Sequence, residues 1–241
     1  MNLIIDQGNS RTKLAIFDDK TLVRHAVSDV FDHTVVANFI GIQAINGVIL
    51  STVKELSLEM KVFLKSLSSH FINLSHTTNF PFRVDYRTPE TLGRDRLAGV
   101  AGAFYESEQR NILIIDAGTA ITYDLLDASG IYKGGNIAPG LEMRLKALHL
   151  QTNKLPQVAK EGAIPPLGYD TETAIRSGVV LGIIFEIEGY IAQLQKEYPE
   201  LLIFLTGGDI FYFDKMLKNI TFADEFLVIK GLNRILLYNA K

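Results

Sequence analysis

A short apolar segment near the start of the chain occurs twice. Leu-Ile-Ile-Asp-Gln-Gly at residues 3–8 returns as Leu-Ile-Ile-Asp-Ala-Gly at residues 113–118, and Thr12 and Thr122 follow at the same spacing. Each copy predicts a buried strand that ends in a carboxylate and passes into a tight glycine turn. Two such turns indicate a duplicated fold whose halves each bring one phosphate-handling loop to a shared cleft. They therefore predict nucleotide chemistry without a P-loop.

The arrangement of apolar and polar residues predicts the same order of elements in both halves. The first half contains predicted strands 2–6, 12–17 and 22–27, helix 29–40, strand 47–51, helix 55–67 and helix 94–106. The second contains strands 112–116, 121–126 and 131–137, helices 140–148 and 172–197, strand 201–206 and one or two final helices. This repeated βββαβα order is the pattern of the α/β ribonuclease-H-like fold of actin-like ATPases and sugar kinases. We therefore predict two lobes with mixed sheets, residues 1–108 and 109–241, and a cleft between them.

Composition narrows the possible functions. The 241 residues are 47% hydrophobic and 21% charged with a net charge of −3, so a nucleic-acid partner has little electrostatic support. The absence of cysteine excludes disulfides, thiolate metal sites and a cysteine nucleophile. The chain enters a strand pattern at once, which argues against a secretory signal, and its most apolar stretch, residues 179–185, is too short to span a bilayer. We expect a cytoplasmic protein without nucleic-acid or membrane partners.

The first Asp-x-Gly turn continues into a polar segment. Gly8, Asn9 and Ser10 can aim backbone N–H groups at a phosphate, and Lys13 adds a positive charge. Asp6, at the predicted strand end, suits a magnesium ion directly or through water. An ordinary β-hairpin would also explain the Gly-Asn pair, but the second copy of the motif favours a phosphate loop.

The second turn has lost the charges of the first. Asp116 keeps the carboxylate, while Gly118 and Thr119 keep the turn and a hydroxyl that can hold the other side of a triphosphate. Asp116 can hold a hard cation, although a carboxylate that only caps the turn is the alternative. A third glycine turn, Leu-Thr-Gly-Gly-Asp at residues 205–209, is where an adenosine is expected, and helix capping by Asp209 would explain it equally well.

The densest charged cluster is Gly-Arg-Asp-Arg at residues 93–96, where the helix 94–106 begins. It can be a structural ion cluster. The functional interpretation instead places Arg96 and Arg94 near an anion and Asp95 against a hydroxyl nucleophile. The arginines and the helix N-terminus favour an ionised Asp95. Such a weak base suffices for phosphoryl transfer, because the carboxylate chiefly orients the hydroxyl and accepts its proton late.

These motifs, in their order along nearly the whole chain, resemble those of the type III pantothenate kinases, the actin-fold kinases that begin coenzyme A synthesis. Asp-x-Gly-Asn-Ser-x-x-Lys at residues 6–13 is similar to the family's ATP phosphate loop, with Ser10 where threonine is commoner. Residues 93–96 are similar to its Gly-x-Asp-Arg substrate motif, with Arg94 where a small residue is common. Tyr86 lies seven residues before that motif, as does the family's pantothenate-contacting tyrosine.

The resemblance implies ATP-dependent phosphorylation of the primary hydroxyl of (R)-pantothenate, which yields 4′-phosphopantothenate with Mg²⁺ and a potassium or ammonium ion as cofactors. Asp95 is implied as the proton acceptor and Asp116 as the monovalent-cation ligand. Asp170 stands before Thr171 where asparagine is usual. The implied ATP-binding residues are Asp6, Gln7, Gly8, Asn9, Ser10, Arg11, Thr12, Lys13 and Thr119. The implied substrate-binding residues are Tyr86, Gly93, Arg94, Asp95, Arg96 and Thr171.

The long helix 172–197 is apolar around most of its circumference, so it is expected to be buried on more than one side. It is either a central core helix or a helix that packs on the core and on a second subunit. The resemblance implies a homodimer with pantothenate bound at the subunit interface. Two other classes stay open, namely another actin-fold phosphotransferase or phosphatase such as a sugar kinase, and a non-catalytic ATP-binding switch.

Overall fold

The computed structural model describes residues 1–9, 11–107 and 109–240. The chain forms two compact units. The first consists of Met1–Glu108, Gly130–Tyr132 and Phe226–Lys241, and the second of Gln109–Ser129 and Lys133–Glu225. The C-terminal helix thus belongs to the unit that contains the first half of the chain. The division into functional lobes at residues 1–108 and 109–241 stays a prediction.

The sheet of the first unit is formed by β1 (Asn2–Gln7), β2 (Thr12–Asp18), β3 (Thr21–Ser28), β4 (Gly47–Thr52) and β5 (Phe71–Asn73). The strand order is β3-β2-β1-β4-β5, with β1 antiparallel to β2 and parallel to β4. Central strands are covered on both faces, which explains the apolar runs of β1 and β4. At the end of β1, Asp6 is paired with Lys13 on β2 and with Ser51 on β4.

Two helices of this unit begin later than predicted. Helix α1 spans His33–Ile40 rather than 29–40, because the Asp32 side chain accepts a hydrogen bond from the Val35 N–H at 2.8 Å and caps the helix there. Helix α2 spans Leu58–Leu67 rather than 55–67, and Ser57 caps it in the same way. Capping residues, more than apolar spacing, determine where these helices start.

Helices α3 (Arg94–Glu106) and α7 (Leu227–Asn239) pack against each other at very close range. A Cβ placed on Gly102 would collide with the Leu227 carbonyl oxygen, and one placed on Gly231 would collide with the Ala98 carbonyl oxygen. The small residues of α3 and α7 therefore let the two helix backbones approach closely. The first unit also contains β6 (Arg83–Val84), which pairs with Ile131 and Tyr132, and a 3₁₀ turn at Pro89–Thr91.

The sheet of the second unit is formed by β7 (Ile112–Ala117), β8 (Ala120–Leu126), β9 (Ile131–Pro139), β10 (Leu202–Thr206) and β11 (Phe222–Ala223). The strand order is β11-β10-β7-β8-β9, with β7 antiparallel to β8 and parallel to β10. The repeated segment therefore occupies the same place in both sheets, as the duplication predicts.

The two repeated hairpins differ by one residue in their loops. In the first, Gln7 is paired with Thr12, and in the second, Ala117 is paired with Ile121. Thr12 and Thr122 thus have equal sequence spacing but different partners, because the first loop is one residue longer.

The helices of the second unit are α4 (Leu141–Leu150), α5 (Thr171–Glu197) and the short α6 (Ile210–Phe213). Helix α5 buries one side, including Val180, Ile183 and Ile187, in the core of this unit. Phe185, by contrast, is 69% exposed. Within the single chain α5 is buried on one side, so it is not a core helix enclosed by this chain alone, and its packing on a second subunit stays a prediction.

In the part of the chain that the structure describes, α5 is the one helix long and apolar enough to meet the length and composition of a membrane span. One third of its most apolar window is buried within the chain. Core helices of globular proteins satisfy the same test, so this observation does not distinguish a membrane span from a core helix.

Candidate active site

In the first unit, the end of β1 brings two separate sequence motifs together. The half-buried Asp6 lies close enough to both Lys13 and Asp95 for their charges to act on it. Burial raises the pKa of Asp6 from its ordinary value of 3.8 to about 6, Lys13 lowers it, Asp95 raises it, and a hydrogen bond from Ser51 lowers it. Two carboxylates whose charges act on each other, with one lysine nearby, form a site that a cation would stabilise.

The loop after β1 is closed by its own backbone, since the Gly8 N–H donates to the Arg11 carbonyl oxygen at 3.0 Å. The Arg11 side chain pairs with Asp29 at 3.3 Å, and both side chains are mostly exposed. Asn9 is exposed and Thr12 is buried in the strand that follows. Ser10, a predicted ATP-binding residue, lies outside the described residues.

The end of β4 contributes residues that the sequence analysis missed. The Thr52 hydroxyl donates to Gln7 Oε1 at 2.7 Å, and the Thr52 carbonyl oxygen accepts from Arg94 Nη1 at 2.7 Å. Thr52 therefore connects the end of β1 with the start of α3, and Ser51 donates a hydrogen bond to Asp6. The sequence signal that could have indicated these residues is the polar Ser-Thr pair at the end of the apolar run of β4.

Asp95 lies in the first turn of α3 and is exposed. The Arg96 N–H donates to its Oδ1 at 2.9 Å, which orients the carboxylate. A Cβ placed on Gly93 would lie 2.6 Å from the same oxygen, so only glycine leaves room for this carboxylate. Arg96 is buried, and the half-buried Tyr86 has its ring centroid 6.2 Å from that of Tyr132.

In the second unit, the half-buried Asp116 is enclosed by bare backbone. A Cβ on Gly118 would lie 3.1 Å from Asp116 Oδ1, and a Cβ on Gly207 would lie 2.5 Å from the same atom. Gly207 also has a φ of +101°, which favours glycine. Thr119 is exposed, and its carbonyl oxygen accepts the Gly140 N–H at 3.1 Å. The structure thus brings the second and third predicted turns together around one carboxylate.

Thr171 is the exposed first residue of α5 and lies at an apolar groove of about 800 Å³ between α4 and α5. The preceding Asp170 caps this helix, because its side chain accepts the Thr173 N–H at 2.8 Å. The hydrogen bonds from Thr173 lower the pKa of Asp170. A carboxylate thus provides the helix cap at the position where the family usually has asparagine.

Asp209 does not act as the helix cap that was one interpretation of the third turn. Its side chain makes no cap hydrogen bond to α6 and instead binds Lys160 Nζ at 2.7 Å. Among the described residues, no group of three or more histidine, cysteine, aspartate or glutamate side chains is placed to hold a metal. Proteins commonly hold Mg²⁺ with one or two carboxylates plus substrate phosphates, and Asp6 fits that arrangement.

Comparison with known proteins gives consistent results. A family model described as type III pantothenate kinase matches residues 2–193. A protein from Phocaeicola vulgatus, named type III pantothenate kinase, is 51% identical over 241 residues, which cover 100% of this chain and 100% of the relative.

Solved structures share the fold. A conserved Campylobacter jejuni protein assigned to the Baf family of transcriptional activators is 24% identical with a TM-score of 0.65, covering 99% of this chain and 98% of that one. A glucokinase from an Antarctic psychrotroph is 12% identical with a TM-score of 0.56, covering 98% of each chain. At these identities the likeness concerns the fold alone, and it confirms the predicted actin-like α/β class.

Proposed function

This chain belongs to the type III pantothenate kinase family, and from that premise we propose how its residues carry out the reaction. It phosphorylates (R)-pantothenate to 4′-phosphopantothenate with ATP and a divalent metal ion, the first step of coenzyme A biosynthesis. The sugar-kinase, phosphatase and non-catalytic alternatives are not favoured, because the relative bearing the pantothenate kinase name is similar along the full length. The observation that carries the proposed mechanism is the proximity of Asp95 to Asp6.

Asp95 is the proposed proton acceptor. Its Oδ1 is held by the Arg96 N–H, so its second oxygen can accept a hydrogen bond from the pantothenate hydroxyl. Asp95 lies in the first turn of α3 and is exposed, so this oxygen is accessible to a substrate hydroxyl. In a loose phosphoryl-transfer transition state, orientation of the hydroxyl matters more than basicity.

The ATP phosphates are proposed to bind to Asp6, Asn9, Lys13 and the loop between them. Lys13 contributes positive charge at the strand end, and Asp6 helps to hold the metal ion. Mg²⁺, when bound, neutralises negative charge on the transferred phosphoryl group. The pKa of Asp6 supports this assignment, since burial and then the charge of Asp95 raise it, and a bound cation would stabilise the ionised carboxylate.

The second unit is proposed to hold the other end of the nucleotide. Thr119 contacts the phosphates, and the Gly207-Gly208 turn receives the adenosine, because backbone without Cβ lets a flat base approach closely. Asp116 is proposed to bind the monovalent cation, potassium or ammonium. Its enclosure by two glycine turns supports this role, since carbonyl and carboxylate oxygens are the ligands such hard ions prefer.

Pantothenate is proposed to bind to Tyr86, Gly93, Arg94, Arg96 and Thr171. Arg94 donates to the Thr52 carbonyl oxygen, which supports a second role in holding the start of α3. The buried Arg96 is the stronger candidate for an anionic group, either the pantothenate carboxylate or the developing phosphate charge.

We also propose that the protein is a cytoplasmic homodimer without nucleic-acid or membrane partners. The exposed Phe185 lies on a face of α5 with Gly178, Gly182 and Gly189, where an added Cβ would meet nothing within 4 Å. Small residues permit close approach of a second helix, and the adjacent apolar groove extends the same surface toward Thr171. A second copy of the chain covering this face would bury it without a membrane.

The decisive experiment incubates purified protein with ATP, Mg²⁺, K⁺ and pantothenate and detects the phosphorylated product by mass. Asp95→Asn should reduce turnover by about 100-fold or more, with an unchanged melting temperature, because general base catalysis contributes about that much. Asp85→Asn, an exposed carboxylate on the segment before α3, is the matched control and should retain activity. Wild-type turnover in Asp95→Asn would remove Asp95 as the base, and activity on sugars but not pantothenate would overturn the substrate assignment.

A further inference from the structure

The segment 151–170 connects α4 to α5 without a helix or strand and contains Pro156, Pro165 and Pro166. Connections of this length in compact proteins are uncommon and are usually functional or mobile. This one is fixed from within its own unit, since Val158 is buried in the core cluster and Leu155 and Ile164 pack against that cluster. The segment therefore does more than connect α4 to α5, because core contacts give it a defined conformation.

Arg176 on α5 holds the middle of this segment. Its buried guanidinium donates through Nε to the Ala159 carbonyl oxygen at 2.9 Å and through Nη1 to the Ala163 carbonyl oxygen at 3.4 Å. Gly162, with a φ of +128°, lies against the guanidinium, where a Cβ would be 2.8 Å from Cζ. Ala159 and Ala163 lie on either side of Lys160 in the sequence. Their two hydrogen bonds to Arg176 therefore fix the backbone that carries Lys160.

Lys160 reaches the third glycine turn. Its Nζ donates to Asp209 Oδ1 at 2.7 Å, with the Asp209 side chain only 14% exposed. The Tyr212 hydroxyl donates to the Lys160 carbonyl oxygen at 2.8 Å, and Lys160 Nζ lies 5.7 Å from the Tyr212 ring centroid. The hydrogen bond to Asp209 raises the pKa of Lys160, so the ammonium group remains charged at neutral pH.

Backbone contacts hold the turn itself, and Lys160 is bound to the one side chain at its end, that of Asp209. Gly207 and Gly208 have no side chains, and glycine loses the most conformational freedom when it is ordered. The Asp209 N–H donates to the Ala117 carbonyl oxygen at 2.9 Å, which fixes one point of the turn on the end of β7. The ion pair with Lys160 fixes the side chain of the same residue, and the two contacts together determine the direction of the turn.

We propose that Lys160 is a positioning residue for the nucleotide, which acts by holding Asp209 so that the Gly207-Gly208 turn is preorganised for the adenosine. The inference rests on the proposed function, in which this turn is the adenosine side of the site. Lys160 acts through its contact with Asp209 and has no role at the pantothenate hydroxyl that receives the phosphoryl group. Preorganisation lowers the ordering cost of binding, so the effect belongs to nucleotide affinity and not to the chemical step.

The test compares steady-state kinetics of Lys160→Met, Lys160→Arg and the matched control Lys154→Met, an exposed lysine of the same segment. Lys160→Met should raise the KM for ATP about fivefold, which corresponds to about 1 kcal/mol. Its KM for pantothenate and its kcat at saturating ATP should stay within about twofold of wild type, because no transition-state contact is lost. Lys160→Arg should restore most of the ATP affinity, and Lys154→Met should match wild type.

Gly208→Val separates this inference from the proposed function. Gly208 faces open space, where an added Cβ meets nothing within 4 Å, so valine blocks the base without a clash inside the chain. A raised KM for ATP in Gly208→Val but not in Lys160→Met would overturn the role of Lys160 and leave the adenosine assignment intact. An unchanged KM in both variants would overturn both. If Lys160→Met instead lowers kcat and the melting temperature and raises the KM for both ATP and pantothenate, the ion pair is merely structural. That result would overturn the inference.

Discussion

Replacement of Asp6 by asparagine should stabilise the protein at neutral pH in the absence of nucleotide and metal. The pKa of Asp6 is raised from 3.8 to about 6 by burial and by Asp95. The folded state therefore keeps the Asp6 proton in a pH range where the unfolded chain has already lost it. Consequently, the free energy of unfolding contributed by Asp6 falls as pH rises from about 4 to about 6, and the loss is complete above that range.

The magnitude follows from the shift. Each pKa unit corresponds to about 1.4 kcal/mol, so the shift of Asp6 limits the destabilisation at neutral pH to about 3 kcal/mol. Partial exposure and salt reduce this value, and a measured gain of about 1–2 kcal/mol is expected for Asp6→Asn. Asparagine has the same shape and no charge at any pH, so it removes the pH-dependent term while retaining most of the packing.

The assay is chemical denaturation of wild type and Asp6→Asn at pH 4.5 and pH 7.5, without Mg²⁺ or ATP. The variant should gain stability at pH 7.5, and the difference should shrink at pH 4.5 because wild-type Asp6 is then protonated in the folded state. Asp18→Asn, an exposed carboxylate at the end of the neighbouring strand, is the control and should have little effect at either pH. A stability difference independent of pH, or a loss at pH 7.5, would refute the reasoning.

Three further predictions follow from packing and from the proposed roles. Gly231→Ala should destabilise by about 1–3 kcal/mol or more in thermal melts, or prevent folding, because its Cβ collides with the Ala98 carbonyl oxygen. Asp116→Asn should abolish activation by K⁺ while ADP binding, measured by calorimetry, persists; K⁺ activation equal to wild type would contradict the cation assignment. Phe185→Glu should shift a dimer to monomer in light scattering, and an unchanged mass would exclude this face as the interface.

Much of the architecture could be predicted from local patterns. The repeated Asp-x-Gly segments occupy equivalent strands in both sheets, and helix α3 begins and ends where predicted, at Arg94 and Glu106. These elements have long, strongly periodic or strongly apolar stretches, which are the most informative sequence signals. Strands β5, β6 and β11 were not predicted, because runs of two or three residues carry no periodicity.

Contacts between distant segments could not be predicted. The close packing of Gly231 on Ala98 joins α7 to α3, and nothing near Gly231 in the sequence indicates that partner. Thr52 and Lys160 were missed for the same reason, since each acquires its role only from residues far along the chain. The two repeated hairpins also differ in register despite equal sequence spacing, because loop length sets strand pairing.

The amino-acid sequence by itself determined which residues end the repeated strands and that glycine turns follow them. Aspartate and glycine favour turns through local backbone conformation, which does not depend on distant parts of the chain. It also contained the Gly-x-Asp-Arg motif at residues 93–96 that resembles the family's substrate motif. Tertiary structure alone decided that Asp6 lies near enough to Asp95 for their charges to interact and that Lys160 pairs with Asp209. Electrostatic and hydrogen-bonding interactions depend on distance in space, so the raised pKa of Asp6 and the ion pair at the Gly207-Gly208 turn exist only after folding has brought these residues together.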